Sequence, residues 1–307
     1  MNLKMCLACA AASLVGPAAQ AAIVYSSAGS NYTQNFDTLP ITPSNATLGN
    51  SPIGWVNDST SPGANQFSIP GFYLYHPLSL AEGGANGNQR VRVGAGTANT
   101  GSMMSWGTLS NTDRALGALV SNTLAPAAAI GPPAVPAGVV HYGARFTNNT
   151  GAVLTQFTLS YTGEQWRDGG SPPTPNVPSL PQGVTFDYKL NAASIQDTGY
   201  TAVPTLGFIG PQFGATTQDT STNVVTNQND RDGNVAANRV VVGPVTVTGL
   251  NWLPGDDLWI RWNDVNDAGN DHGLGIDDLT FSAIPEPSTF GLAGLALILS
   301  LVGRRRN

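Results

Sequence analysis

Apolar and polar residues alternate in several stretches of this chain, and the alternation constrains the fold more than any other feature. In the clearest stretch, Val184 to Leu190, every second side chain is apolar. Side chains on a β-strand point alternately to opposite faces, so this pattern predicts a strand with one buried face. Four further stretches have the same pattern: Tyr142 to Phe146, Phe157 to Tyr161, Val245 to Val247 and Leu258 to Trp262.

Turn-forming residues separate the predicted strands. Asn148 to Gly151 lies between two of them, and Leu253 to Asp256 precedes another. No stretch of comparable strength has helical spacing outside the two ends of the chain. We therefore predict an all-β body, an antiparallel β-sandwich, over residues 22–283.

The first 21 residues have the features of a secretory signal peptide. Lys4 precedes an apolar run from Met5 to Val15, and Ala19 and Ala21 form an Ala-x-Ala site. Eleven apolar residues form about 16 Å of helix, which is about half of a hydrocarbon core, so a leader is favoured over a membrane anchor. We expect a signal helix over residues 1–21, cleaved by signal peptidase after Ala21.

Both cysteines, Cys6 and Cys9, lie within this leader. Its removal leaves a body without a thiol, which excludes a disulfide, a thiolate metal site and a cysteine nucleophile. A lipoprotein signal at Cys9 is the alternative, but the residues before it and the short apolar run fit that signal poorly.

The last 24 residues, 284–307, combine three features in order. Two prolines and a glutamate interrupt regular structure, an apolar run from Thr289 to Val302 predicts a transmembrane helix, and terminal arginines predict a cytoplasmic C-terminus. The residues that define the first and last features are Pro285, Glu286, Pro287, Arg304, Arg305 and Arg306.

This arrangement closely resembles the PEP-CTERM sorting signal. The resemblance implies that an exosortase-type membrane protease cuts near Pro285 to Pro287 and releases or re-attaches the body at the cell surface. A permanent single-pass anchor is the alternative. The same segment is also known as an ice-binding protein C-terminal domain, but Thr246-Val247-Thr248 is an isolated Thr-x-Thr, so the sequence does not predict ice binding.

The body resembles a jelly-roll-like module that is found in PEP-CTERM proteins and has no established biochemical activity. The resemblance implies a fold and a cellular location, but it does not imply a particular activity. It rests on residues 35–40, 70–73, 113–117, 146–151, 161–167, 261–264 and 271–278.

The charge of the body argues against nucleic acid as a partner. The chain has 13 Lys and Arg residues and 19 Asp and Glu residues, of which four and one belong to the two ends. The body therefore has 9 basic and 18 acidic side chains, a net charge of −9. Such a body repels phosphate backbones, whereas cations and neutral glycans remain compatible partners.

An acidic stretch follows the predicted strand that ends near Trp262. Its carboxylate and amide oxygens are the ligands that Ca²⁺ prefers, although the spacing is not that of an EF-hand. The alternative is that these side chains form Asx turns and cap strand ends. The candidate calcium ligands are Asp264, Asn266, Asp267, Asp271 and Asp277.

A second candidate site lies at the end of another predicted strand. Glu164 and Arg167 could form an ion pair beside Trp166. An apolar ring beside charged groups is the chemistry of a sugar-binding face. The alternative is that Trp166 belongs to the edge of the core, as we also expect for Trp252, Trp259 and Trp262.

Sequence motifs of catalysis are missing. The histidines form no zinc-binding pair, and neither a Gly-x-Ser-x-Gly turn nor a phosphate-binding loop is present. A glycosidase needs two facing carboxylates, and Glu82 and Glu164 are the only glutamates of the body.

We therefore predict a non-catalytic exported protein of the cell surface or exopolysaccharide matrix, adhesive or glycan-contacting, which is held at the membrane at least transiently. A secreted polysaccharide hydrolase and a purely structural surface-coat protein are the alternatives.

Overall fold

The computed structural model describes residues 22–42, 53–64, 66–77, 89–98, 101–122, 124–125, 138–169, 180–213, 230–267 and 270–286. The described residues form sixteen strands and two short 3-10 helices, Pro204–Leu206 and Ala236–Asn238. The strands are β1 (Ile23–Tyr25), β2 (Tyr32–Gln34), β3 (Ile53–Trp55), β4 (Gln66–Phe67), β5 (Phe72–Tyr75), β6 (Gln89–Gly94), β7 (Ser102–Trp106), β8 (Ala115–Leu119), β9 (Val139–Asn148), β10 (Leu154–Arg167), β11 (Gly183–Leu190), β12 (Thr201–Ala202), β13 (Phe208–Ile209), β14 (Arg239–Trp252), β15 (Asp257–Val265) and β16 (Gly273–Ile284).

The strands form two sheets. The smaller sheet has the order β1-β9-β15-β11-β12, with β5 also pairing with β9 and β13 with β11. The larger sheet has the order β14-β10-β16-β8-β7-β6-β3-β4, and β2 also pairs with β16. The long strands β10 and β16 lie side by side, next to the edge strand β14, so the C-terminal strand of the body is an interior strand.

The two sheets pack face to face around one aromatic core. Phe281 of the larger sheet stacks on Phe146 of the smaller one, with ring centroids 4.1 Å apart. Tyr161 and Trp262 make a second contact between the sheets, edge to face at 5.3 Å. All four side chains are at most 2% exposed. The predicted β-rich body is thus confirmed as two packed sheets.

The strands predicted from alternation are confirmed. The stretch from Val184 to Leu190 lies in β11, and the apolar side chains of Val184 and Phe186 are buried. The predicted turn at Asn148 to Gly151 connects β9 to β10, and the Asn148 side chain accepts a hydrogen bond from the Thr150 backbone N–H at 3.0 Å. Alternation specifies β11 because Val184 and Phe186 are buried on one face, whereas Thr185 on the other face is exposed.

The expectation of a purely antiparallel body is wrong in part. Three strand pairs are parallel: β1 with β9, β3 with β4, and β6 with β7. The reason is physical, since side chains alternate in the same way in parallel and antiparallel strands. Periodicity therefore identifies a strand but does not give its direction.

The predicted signal helix over residues 1–21 and the predicted transmembrane helix beyond Glu286 lie outside the described residues. Within the described ranges, no helix has the length and apolar character needed to cross a bilayer.

Candidate functional site

The folded body reaches the predicted sorting signal without a spacer. Strand β16 ends at Ile284, one residue past the predicted domain boundary, and Pro285 and Glu286 follow it in non-regular backbone. The predicted sorting residues Pro287, Arg304, Arg305 and Arg306 lie outside the described residues, as do Ala19 and Ala21 of the predicted leader.

Three of the predicted calcium ligands lie close together at the end of β15. Asp264 is 3% exposed, and its pKa is raised well above the usual range by burial and by the charges of Asp271 and Asp267. Burial raises the pKa of Asp271 to about 7, and its Oδ1 accepts a hydrogen bond from the Asp267 backbone N–H at 2.7 Å. A buried carboxyl beside other carboxyls is held more easily in the protonated form.

The other two predicted ligands point elsewhere. The Asn266 amide nitrogen donates to Asn122 Oδ1 at 2.7 Å and to the Ala125 carbonyl at 3.0 Å. The Asp277 carboxyl has its pKa raised to about 8, first by burial and then by neighbours that include Asp278 and Glu164, a different set from that of Asp264. The five side chains therefore do not converge on one point.

Within the ranges given above, no three His, Cys, Asp or Glu side chains are grouped in a way that could hold a metal ion. Calcium binding at the end of β15 therefore stays a prediction, since Ca²⁺ also takes amide and backbone carbonyl oxygens as ligands. Strand β16 begins at Gly273, two residues after Asp271, and carries Asp277 away from it along the sheet.

The predicted ligand face at Glu164, Trp166 and Arg167 is buried. Glu164 and Trp166 are 0% exposed and Arg167 is 6% exposed. The Trp166 ring stacks on Trp106 with an interplanar angle of 1°, and its Nε1–H donates to Glu164 Oε2 at 3.0 Å. These three side chains form an internal cluster, so the expectation that they present an exposed face is wrong.

Glu164 forms its ion pair with a residue that the sequence did not indicate. Arg239 Nη2 lies 3.0 Å from Glu164 Oε1, whereas Arg167 donates instead to the Ala98 carbonyl at 3.1 Å. Despite this ion pair, burial raises the pKa of Glu164 to about 7. Arg239 is 75 positions away in the chain and is brought to Glu164 by the pairing of β14 with β10. No local sequence signal reports such a contact.

The outer surface of the larger sheet carries a group of hydroxyl side chains that the sequence analysis missed. Phe157, Leu159 and Tyr161 of β10 point into the core, so the residues between them point outward. Strand register places Thr158 between Thr246 and Ser282, and it places Thr280 between Ser160 and Thr33. We call these two rows the hydroxyl face: Thr33, Thr158, Ser160, Thr246, Thr280 and Ser282.

The hydroxyl face contains no ionisable side chain, although the body has a net charge of −9. Its six members are half-buried or exposed. Thr158 and Thr246 are hydrogen-bonded to each other across the two strands, with their Oγ1 atoms 2.8 Å apart. Neighbouring strands lie about 4.8 Å apart, and successive outward residues of one strand about 6.7 Å apart, so the face is a regular array of neutral donors and acceptors.

These features define a class of protein. Its members have a two-sheet body in which an interior strand, here β16, continues directly into a short C-terminal segment. That segment, residues 283–306, matches the PEP-CTERM protein-sorting motif. The chain therefore carries a motif that indicates exosortase-dependent, membrane-associated sorting of an exported protein to the cell surface, as its C-terminal residues predict. No curated protein matches the chain.

Proposed function

We propose that this protein is a non-catalytic component of the cell surface or its exopolysaccharide matrix, and that the body contacts neutral glycan through the hydroxyl face. The observation that carries the proposal is the array of six neutral hydroxyls on four adjacent strands. After sorting, the partners of such a body are the molecules of the cell surface. Of these, a neutral polysaccharide offers hydroxyl groups that can exchange hydrogen bonds with the array.

Charge supports this choice of ligand. A net charge of −9 on the body disfavours anionic polysaccharides and phosphate-bearing polymers, whereas it leaves neutral chains unaffected. The hydroxyl face itself adds no charge that would select a cationic or an anionic partner. Because the two rows of the hydroxyl face lie side by side on one sheet, an extended chain can contact both of them at once.

The test is binding of the body, residues 22–286, to immobilised neutral polysaccharides, compared with a variant carrying Thr158→Val, Thr246→Val and Thr280→Val. Valine keeps the shape and strand propensity of threonine but removes the hydroxyl. Because each net hydrogen bond contributes about 0.5–1.5 kcal/mol, we expect the triple variant to bind about tenfold more weakly or worse.

Thr185→Val is the matched control, because Thr185 is exposed on the outer surface of the opposite sheet. We expect this variant to bind like the unmodified body. If the triple variant bound polysaccharide as tightly as the unmodified body, the hydroxyl face would not be the binding site. Failure of the unmodified body to bind any neutral polysaccharide would favour a structural coat protein, and release of reducing sugar would favour the hydrolase alternative.

A further inference from the structure

The first residues of the body hold the residue at which the sorting motif begins. The motif starts at Ala283, which is the penultimate residue of β16. On one side β16 is paired with β10 as far as Ile284, but on the other side β2 pairs only with Leu279 to Phe281. After Phe281, therefore, no strand pairs with this second edge of β16.

The N-terminal segment covers this edge. The Ala283 backbone N–H donates to the Tyr25 hydroxyl oxygen at 2.9 Å, and the Tyr25 O–H lies 3.1 Å from the Ala283 carbonyl oxygen and 2.8 Å from that of Ser30. The Gly29 backbone N–H also donates to the Ala283 carbonyl, at 2.8 Å. Both backbone groups of Ala283 are thus bound by residues more than 250 positions earlier in the chain.

Tyr25 is itself held firmly. Strand β1 pairs in parallel with β9, and the Asn149 backbone N–H donates to the Tyr25 carbonyl at 2.8 Å. The Tyr25 ring packs edge to face on Phe281 and stacks against Trp252, with centroid distances of 5.7 and 6.1 Å. The side chain is 3% exposed. The hydroxyl therefore reaches Ala283 from a ring that the core keeps in place.

We propose that Tyr25 is a positioning residue for sorting, because it sets the upstream limit of the segment that a sorting protease can reach. A protease binds its substrate as an extended chain, and a strand with both edges bonded is not available for this. Because β16 is bonded to β10 on one edge as far as Ile284 and to the N-terminal segment on the other edge at Ala283, the accessible segment begins at Pro285. The released body then keeps all of β16, and the cut does not disturb the larger sheet.

The test is hydrogen–deuterium exchange of the full chain in detergent micelles, comparing the unmodified protein with Tyr25→Phe. Phenylalanine keeps the ring but removes the hydroxyl, so the Ala283 N–H loses its acceptor. We expect exchange in the peptide that contains Ala283 to be about 10- to 100-fold faster. We expect a broad-specificity protease to cut the unmodified chain in this region only after Ile284, and to cut the variant also between Phe281 and Ile284.

Tyr161→Phe is the matched control, because the Tyr161 hydroxyl is buried and donates to the Leu206 carbonyl at 2.5 Å, away from Ala283. We expect this variant to leave exchange at Ala283 unchanged. Gly29→Ala gives a second variant, since Gly29 has a φ of 78° that a side chain disfavours, and it should also loosen Ala283. Unchanged exchange in Tyr25→Phe, equal loosening in Tyr161→Phe, or a released body that ends before Ala283 would overturn the proposal.

Discussion

Replacing Phe281 with alanine is expected to reduce the free energy of unfolding of the body by about 3–5 kcal/mol, the cost typical of truncating a buried phenylalanine. Phe281 is 0% exposed. Its ring stacks on Phe146 and Phe157 and meets Tyr25 edge to face. It thus joins both sheets and the N-terminal strand, and alanine would leave a cavity among aromatic rings that cannot close over it.

Thermal unfolding followed by near-ultraviolet circular dichroism would measure this effect. In a body of this size, the loss corresponds to a decrease in Tm of about 8–15 °C. Val241→Ala is the control, because Val241 is 79% exposed and its truncation should change stability by less than about 0.5 kcal/mol. A change below about 1 kcal/mol for Phe281→Ala would contradict the packing described here.

The body is also expected to lose stability as the pH rises from 6 to 8. Burial raises the pKa of Glu164 and Asp271 to about 7 and that of Asp277 to about 8, and it raises that of Asp264 well above its usual range. In the unfolded chain these groups have pKa values of about 4. The folded body therefore binds more protons than the unfolded chain in this interval, so the free energy of unfolding falls with increasing pH.

The histidines act in the opposite direction but at lower pH. Burial lowers the pKa of His76 to about 4 and that of His141 to about 3, and it also lowers that of His272. Their contribution to stability is present above the unfolded pKa of about 6.5 and is lost as the pH falls. The two groups of residues nearly offset each other between about pH 4 and 6.5, so the carboxyls dominate above that interval.

We expect the free energy of unfolding to be lower at pH 8 than at pH 6 by several kcal/mol, as measured by urea denaturation at both values. Asp264→Asn should flatten this dependence and stabilise the body at pH 8, because an amide of nearly the same shape cannot ionise. Asp197→Asn is the comparison, since a hydrogen bond from Lys189 lowers the pKa of this half-buried carboxyl. Equal stability of the unmodified body at pH 6 and pH 8 would contradict this prediction.

The sequence predicted the β-strands and the sorting motif well. In β11 and the first half of β10, buried side chains alternate with more exposed ones, so the order of neighbouring residues predicts which face is buried. The motif at residues 283–306 is a linear signal whose features follow one another along the chain. Both are local properties, which is why one sequence is enough to find them.

The candidate sites were predicted less well, because proximity along the chain was taken for proximity in space. Asp264 and Asp277 are 13 positions apart, but β15 and β16 belong to different sheets, and the two carboxyls have different neighbours. Glu164 and Arg167 are only three positions apart, yet the partner of Glu164 is Arg239. Composition could show that acidic side chains are abundant, but it could not show which ones meet.

By itself, the sequence determined that this chain forms β-strands and carries a sorting signal, since periodicity and short motifs depend only on neighbouring residues. Tertiary structure alone decided the direction of the strands, the burial of Trp166, the rows of the hydroxyl face and the contact between Tyr25 and Ala283. Each of these depends on the register between strands that are distant in the chain. Register is set by the packing of the whole core, which no short stretch of sequence specifies.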